Sequence, residues 1–84
     1  MSEAQSILPE VAAIIRHLFK ADGVEIGFET TAPDIDGWDS VSHTFLILSI
    51  EERFGITFPI DKIHDMENVG DLCHILASLL EGRA

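Results

Sequence analysis

The sequence predicts an all-α fold, a small four-helix bundle with a long loop between helices one and two and a very short third helix. Three observations predict it. Apolar residues recur at intervals of three and four through most of the chain. Gly23, Gly55, Pro59 and Gly82 punctuate the periodic stretches. The length of 84 residues suits one domain, residues 1–84, with one modest core and no room for a deep enzyme cavity.

The elements follow in order. Leu8, Val11, Ile14, Ile15 and Leu18 define a first helix over about residues 6–20. Ser6 is available as its cap, Pro9 falls in its first turn, and Asp22-Gly23 should stop it. A connection of about nineteen residues follows, longer than compact domains usually allow. Phe28, Ile35 and Trp38 are spaced to pin it onto the core. Helical spacing returns over residues 40–54, with Gly55 as a C-terminal stop and Pro59 confirming the break. A short helical turn is expected over 61–65. Leu72, Ile75, Leu76 and Leu79 then define a last helix over 69–81, ended by Gly82.

Composition narrows the function. A hydrophobic content of 46% excludes a disordered chain. No apolar run is long enough to cross a bilayer, and the start MSEAQS has no basic region of a secretory signal. One cysteine, Cys73, excludes an internal disulfide and fits a reducing cytoplasm. Fifteen acidic residues against five basic ones give a formal net charge of −10. Such a surface repels nucleic acid and anionic lipid, which bind through Lys and Arg. It either attracts basic protein partners or serves solubility alone.

The second helix carries two apolar stripes. With Val41 as the zero of a wheel at 100° per residue, Leu46, Ile47, Ile50 and Phe54 fall between about 140° and 240°. Val41, Phe45 and Leu48 fall within about 40° of zero, on the opposite side. The first stripe faces the core. The second is either tucked under the long loop or offered to a partner, and Glu51 and Glu52 flank it.

At the head of this helix stands Trp38-Asp39-Ser40. Asp39 or Ser40 there is by default a cap for an orphan backbone N–H. The surrounding string adds more. Asp39-Ser40-Val41, an apolar helix ending Ile50-Glu51-Glu52-Arg53-Phe54-Gly55-Ile56, and then Phe58-Pro59 resemble an acyl carrier protein. That family's motif is Asp-Ser-Leu, then a helix ending in Leu-Glu-Glu-x-Phe-Gly-Ile. The resemblance covers nearly the whole chain.

The resemblance implies that Ser40 carries 4′-phosphopantetheine, donated by coenzyme A through a phosphopantetheinyl transferase. Acyl groups would ride as thioesters on the far thiol. The chain would then be no enzyme but a cytoplasmic, monomeric carrier for a fatty-acid, lipid or secondary-metabolite pathway. Its partners would be acyl-transferring or ketosynthase-type enzymes with basic docking surfaces, meeting Asp39, Val41, Phe45, Leu48, Glu51 and Glu52. A phosphodiester at a helix N-terminus is physically sensible, because orphan N–H groups and the dipole favour an anion.

Four departures from the family pattern suggest a specialised member. Val41 replaces the usual Leu, and Phe45 stands where many fatty-acid-synthesis carriers have a Glu. Trp38 and His43 are also unusual. The competing expectation is an unmodified acidic interaction module of the same fold, which would need the Ser40 hydroxyl only for capping.

Other constellations are weaker. Asp39, Ser40 and His43 suggest a hydrolase, but Asp39 is not placed to orient the imidazole and no oxyanion loop is evident. His43, at about 200° on the wheel, either lines an acyl cavity or is a half-buried polar residue. His17, His43, His64 and His74 lack metal-site spacing, and Asp61, His64 and Asp65 read as a solvated acidic turn. Cys73 reads as a small core or boundary residue.

Overall fold

The structure, a computed structural model, describes residues 3–82. Four α-helices and no strand occur among them: α1 (Glu3–Phe19), α2 (Ser40–Phe54), α3 (Ile60–Ile63) and α4 (Val69–Gly82). A single 3-10 turn, Ala32–Asp34, interrupts the loop between α1 and α2. Helix α1 packs against both α2 and α4.

Helix α1 starts earlier than its spacing suggests, so Ser6 lies inside the helix rather than capping it. Pro9 is likewise internal, not in the first turn. It removes the N–H that would bond the Gln5 carbonyl, but both residues are exposed, where water can replace that bond. The inward stripe is Ala4, Ile7, Val11, Ala12 and Ile15. Leu8, Ile14 and Leu18 are only partly buried beside it. The helix ends without help from Gly23. Lys20 turns left-handed at φ 52°, and the Ala21 N–H donates to the Arg16 carbonyl at 2.9 Å. That is a Schellman closure built on a lysine.

The long loop is held at many points. Ile26 and Ile35 are buried, while Phe28 and Trp38 pack against the core from its edge. The Phe28 and Thr30 carbonyls accept hydrogen bonds from the Gly70 and Val69 N–H groups, each at 2.8 Å. Orphan donors at the start of α4 are thereby satisfied by the loop. The loop keeps its order because its backbone completes a helix end.

Helix α2 buries Leu46, Ile47 and Ile50, and α4 buries Val69, Gly70, Leu72, Cys73, Leu76 and Ala77. Helix α3 comprises only Ile60–Ile63, a little earlier than expected, and buries nothing. Its Ile60 is 85% exposed. Burial raises the Cys73 thiol to about 11, so it stays a neutral core group.

Candidate functional site

The start of α2 is built by a sharp turn and a cap. Gly37 has φ 88°, a left-handed conformation that lets the chain reverse before Trp38. Asp39 is extended, and its Oδ1 accepts from the Val41 and Ser42 N–H groups at 3.0 and 2.9 Å. The Asp39 N–H in turn donates to Ser42 Oγ at 2.8 Å. Ser42 Oγ–H donates to the Gly37 carbonyl at 2.7 Å. This is a capping box in which Ser42 takes the place of the usual Glu. The Ser42 backbone and side-chain bonds hold the Asp39 carboxyl below the usual carboxylate range.

Because Asp39 is the cap, Ser40 is not. Ser40 is the first helical residue and is exposed. Its carbonyl accepts from the Thr44 hydroxyl, while its own hydroxyl has no hydrogen bond among the described residues. A rigid helix start therefore presents a hydroxyl that the fold does not use. The Asp39 carboxylate occupies two N–H groups that a phosphodiester would otherwise face. The helix dipole remains favourable, and the phosphodiester would sit in solvent. An exposed, unbonded oxygen beside a tight turn fits attachment of such a group.

Asp39, Ser40 and His43 form no triad. The Asp39 carboxylate is committed to backbone N–H groups, and both imidazole nitrogens are engaged elsewhere. Nδ1 accepts from the Trp38 indole N–H at 3.1 Å, and Nε2 donates to the Ile63 carbonyl at 2.7 Å. No nitrogen is left to take a proton from Ser40.

The second stripe of α2 is exposed: Val41 at 65%, Phe45 at 57% and Leu48 at 53%. Glu52 is exposed and lies within about 40° of all three on the wheel. Glu51 differs. Its Oε2 accepts from the Phe58 N–H at 2.8 Å, so this carboxylate holds the turn after α2. Arg53 is drawn across to α1, where its Nε lies 2.9 Å from Glu10 Oε2. That partner raises the Arg53 pKa and lowers that of Glu10.

Two functional features escaped the sequence. Ser42 could have been found, since a polar residue three positions after a cap is the signature of a capping box. The Trp38–His43–Ile63 bond pair had no such signal, because it joins a loop, α2 and α3. Among the described residues no group of His, Cys, Asp and Glu is arranged to hold a metal ion. No helix there is long and apolar enough to cross a membrane.

Comparison with known proteins places this geometry. A family model described as the phosphopantetheine attachment site matches residues 9–76. The acyl carrier protein of Helicobacter acinonychis is 28% identical over 67 residues, covering 80% of this chain and 86% of that protein. That of Tropheryma whipplei is 27% identical over 67 residues, covering 80% and 82%. The solution structure of holo acyl carrier protein from Geobacter metallireducens superposes with a TM-score of 0.79 at 35% identity. That match covers 99% of this chain and 91% of the other. With the family's helix order, its long first loop and an exposed serine at the head of α2, the chain belongs to the acyl carrier protein family.

Proposed function

We propose that Ser40 is the residue that carries 4′-phosphopantetheine, and that the chain is a cytoplasmic carrier presenting acyl groups to a dedicated set of enzymes. One observation carries the assignment to Ser40: its hydroxyl is exposed, unbonded and relieved of capping by Asp39. The bound group would supply the terminal thiol on which acyl groups are held as thioesters. The chain's own residues do the rest. The Ser40 oxygen becomes the ester oxygen of the phosphodiester, Asp39 and Ser42 hold that oxygen on a fixed helix start, and α2 offers the recognition face. Incubation with coenzyme A, Mg²⁺ and a broad-specificity phosphopantetheinyl transferase tests this. The expected gain is one group per chain, and repeated failure with transferases active on a control carrier contradicts it.

The recognition face supports a specialised partner set. Val41, Phe45 and Leu48 are apolar and exposed, with Asp39 and Glu52 at its ends. We assign Glu51 no primary docking role, since its carboxylate supports Phe58. An ionic docking point is absent at position 45. A partner that places Lys or Arg there must desolvate its charge against an aromatic ring, recovering only about 0.5–2 kcal/mol through cation–π attraction. Phe45→Glu should therefore raise activity with general fatty-acid-synthesis enzymes and lower it with dedicated ones. Since Phe45 is exposed, the change should cost little stability. Association of the variant with a general ketosynthase should weaken with salt, as the Debye length falls from about 10 Å at 0.1 M to about 3 Å at 1 M. Equal kinetics for the two proteins with that enzyme would remove Phe45 from specificity.

A further inference from the structure

Beneath the head of α2 lies a row of rings. Trp38 stacks on Phe19 of α1, with centroids 5.5 Å apart and planes 22° apart. His43 lies near-parallel to Trp38 at 6.0 Å, and His64 follows at 6.1 Å. Hydrogen bonds lock the middle of the row. An indole N–H can only donate, so His43 Nδ1 must accept from Trp38, at 3.1 Å. The ring proton then sits on Nε2 and is donated to the Ile63 carbonyl at 2.7 Å. Loop, α2 and α3 are thus tied through one neutral imidazole.

The space behind this tie is small and mixed in polarity. The cavity there has a volume of about 40 Å³ and is lined by Ala32, Trp38, His43, Met66, Glu67 and Leu72, among others. That is far below the roughly 300–1,000 Å³ of ordinary ligand pockets and leaves no space for an alkyl chain. A chain entering past His43 would have to separate Trp38 from His43, or His43 from Ile63. Either step would leave a half-buried donor or acceptor unpaired, where at present no buried side-chain N or O atom among the described residues lacks a partner. An apolar cargo gains by leaving water, but the way past His43 is closed by satisfied polar groups.

We propose that the Trp38–His43–Ile63 tie is a polar stopper that denies the bundle interior to alkyl cargo, so that this carrier bears short, polar acyl groups such as hydroxyacyl thioesters. The proposal rests on Ser40 as the attachment residue. His43 is the specificity-determining side chain, because it makes both bonds. On this reading His43 lines a space too small for an acyl chain and closes the way beyond it.

The test uses isotope-labelled protein loaded at Ser40 with octanoyl- or 3-hydroxybutyryl-phosphopantetheine, with loading verified by intact mass. Wild type is compared with His43→Ala and with Trp38→Phe, which keeps an aromatic ring but removes the indole donor. Thermal melting and the amide resonances of Leu46, Met66 and Leu72 are the readouts. In wild type both cargoes should leave Tm and these resonances in place. In His43→Ala the octanoyl group, and not the hydroxybutyryl group, should shift the resonances and raise Tm, with a smaller effect in Trp38→Phe. Octanoyl-induced shifts in wild type would overturn the stopper, as would their absence from both variants. A wild-type chain that refuses loading would count against Ser40 instead. Octanoyl-pantetheine added free to the same samples still decides the stopper: shifts at Leu46, Met66 and Leu72 in wild type overturn it, and shifts only in the variants uphold it.

Discussion

Ser40→Ala should yield a protein that melts almost as wild type does and accepts no phosphopantetheine. The two halves of this expectation have different physical origins. Stability should hardly change, because Asp39 rather than Ser40 accepts the Val41 and Ser42 N–H bonds, and the Ser40 hydroxyl makes none among the described residues. Removing an exposed, unbonded hydroxyl falls among surface changes of about ±0.5 kcal/mol. In a domain of this size that is a Tm change of no more than about 2–4 °C. Modification should vanish, because alanine has no oxygen to form the ester. Asp39→Ala is the informative contrast. It removes the acceptor for two N–H groups and should lower Tm, while leaving the Ser40 hydroxyl in place. Circular dichroism melts and intact mass read both effects on the same samples. If Ser40→Ala unfolds while Asp39→Ala does not, Ser40 is structural and the assignment of roles is reversed.

Gly70→Ala should be among the most damaging single-methyl additions in the chain. A Cβ built there would lie 2.9 Å from the Phe28 carbonyl oxygen, 3.1 Å from Asn68 Oδ1 and 3.2 Å from Phe28 Cβ. The nearest atom is backbone, so the loop itself must move, and the Gly70 N–H bond to that same carbonyl is strained with it. Overpacking of this kind costs about 1–3 kcal/mol. Each kcal/mol corresponds to about 4–8 °C of Tm in a domain this small. The methyl group's own preference for a helix, about 0.8–1.0 kcal/mol over glycine, acts the other way and is too small to cancel the upper part of that range. Gly27→Ala is the control, since nothing lies within 4 Å of its Cβ position. A melt of Gly70→Ala matching that of Gly27→Ala would show that the loop is not clamped at Phe28.

These two cases show what local sequence could and could not reveal. The fold class was legible, because apolar spacing in α2 and α4 and the glycine after Phe54 are properties of contiguous residues. The exposed stripe of Val41, Phe45 and Leu48 was visible for the same reason, although exposure itself required knowing what packs where. The exit of α1 falls within a residue of its expected place, but Lys20, not a glycine, takes the left-handed position that stops it. Its entry was misplaced because an exposed Pro9 can sit inside a helix whose lost bond water replaces. Glu51 looked like a surface acid, and only the chain's return at Phe58 gives its carboxylate an N–H to hold. The Trp38–His43–Ile63 tie and the fit of Gly70 under Phe28 depend on residues 20 and more than 40 positions apart in sequence. No local periodicity encodes such contacts.

The most direct measurement is peptide-level mass spectrometry of the protein isolated from its own host. The peptide containing Ser40 should carry 4′-phosphopantetheine, bare or with a short polar acyl group, and no other peptide should. A Ser40 peptide that is unmodified throughout, in an extract whose other carrier proteins are loaded, would contradict the central claim.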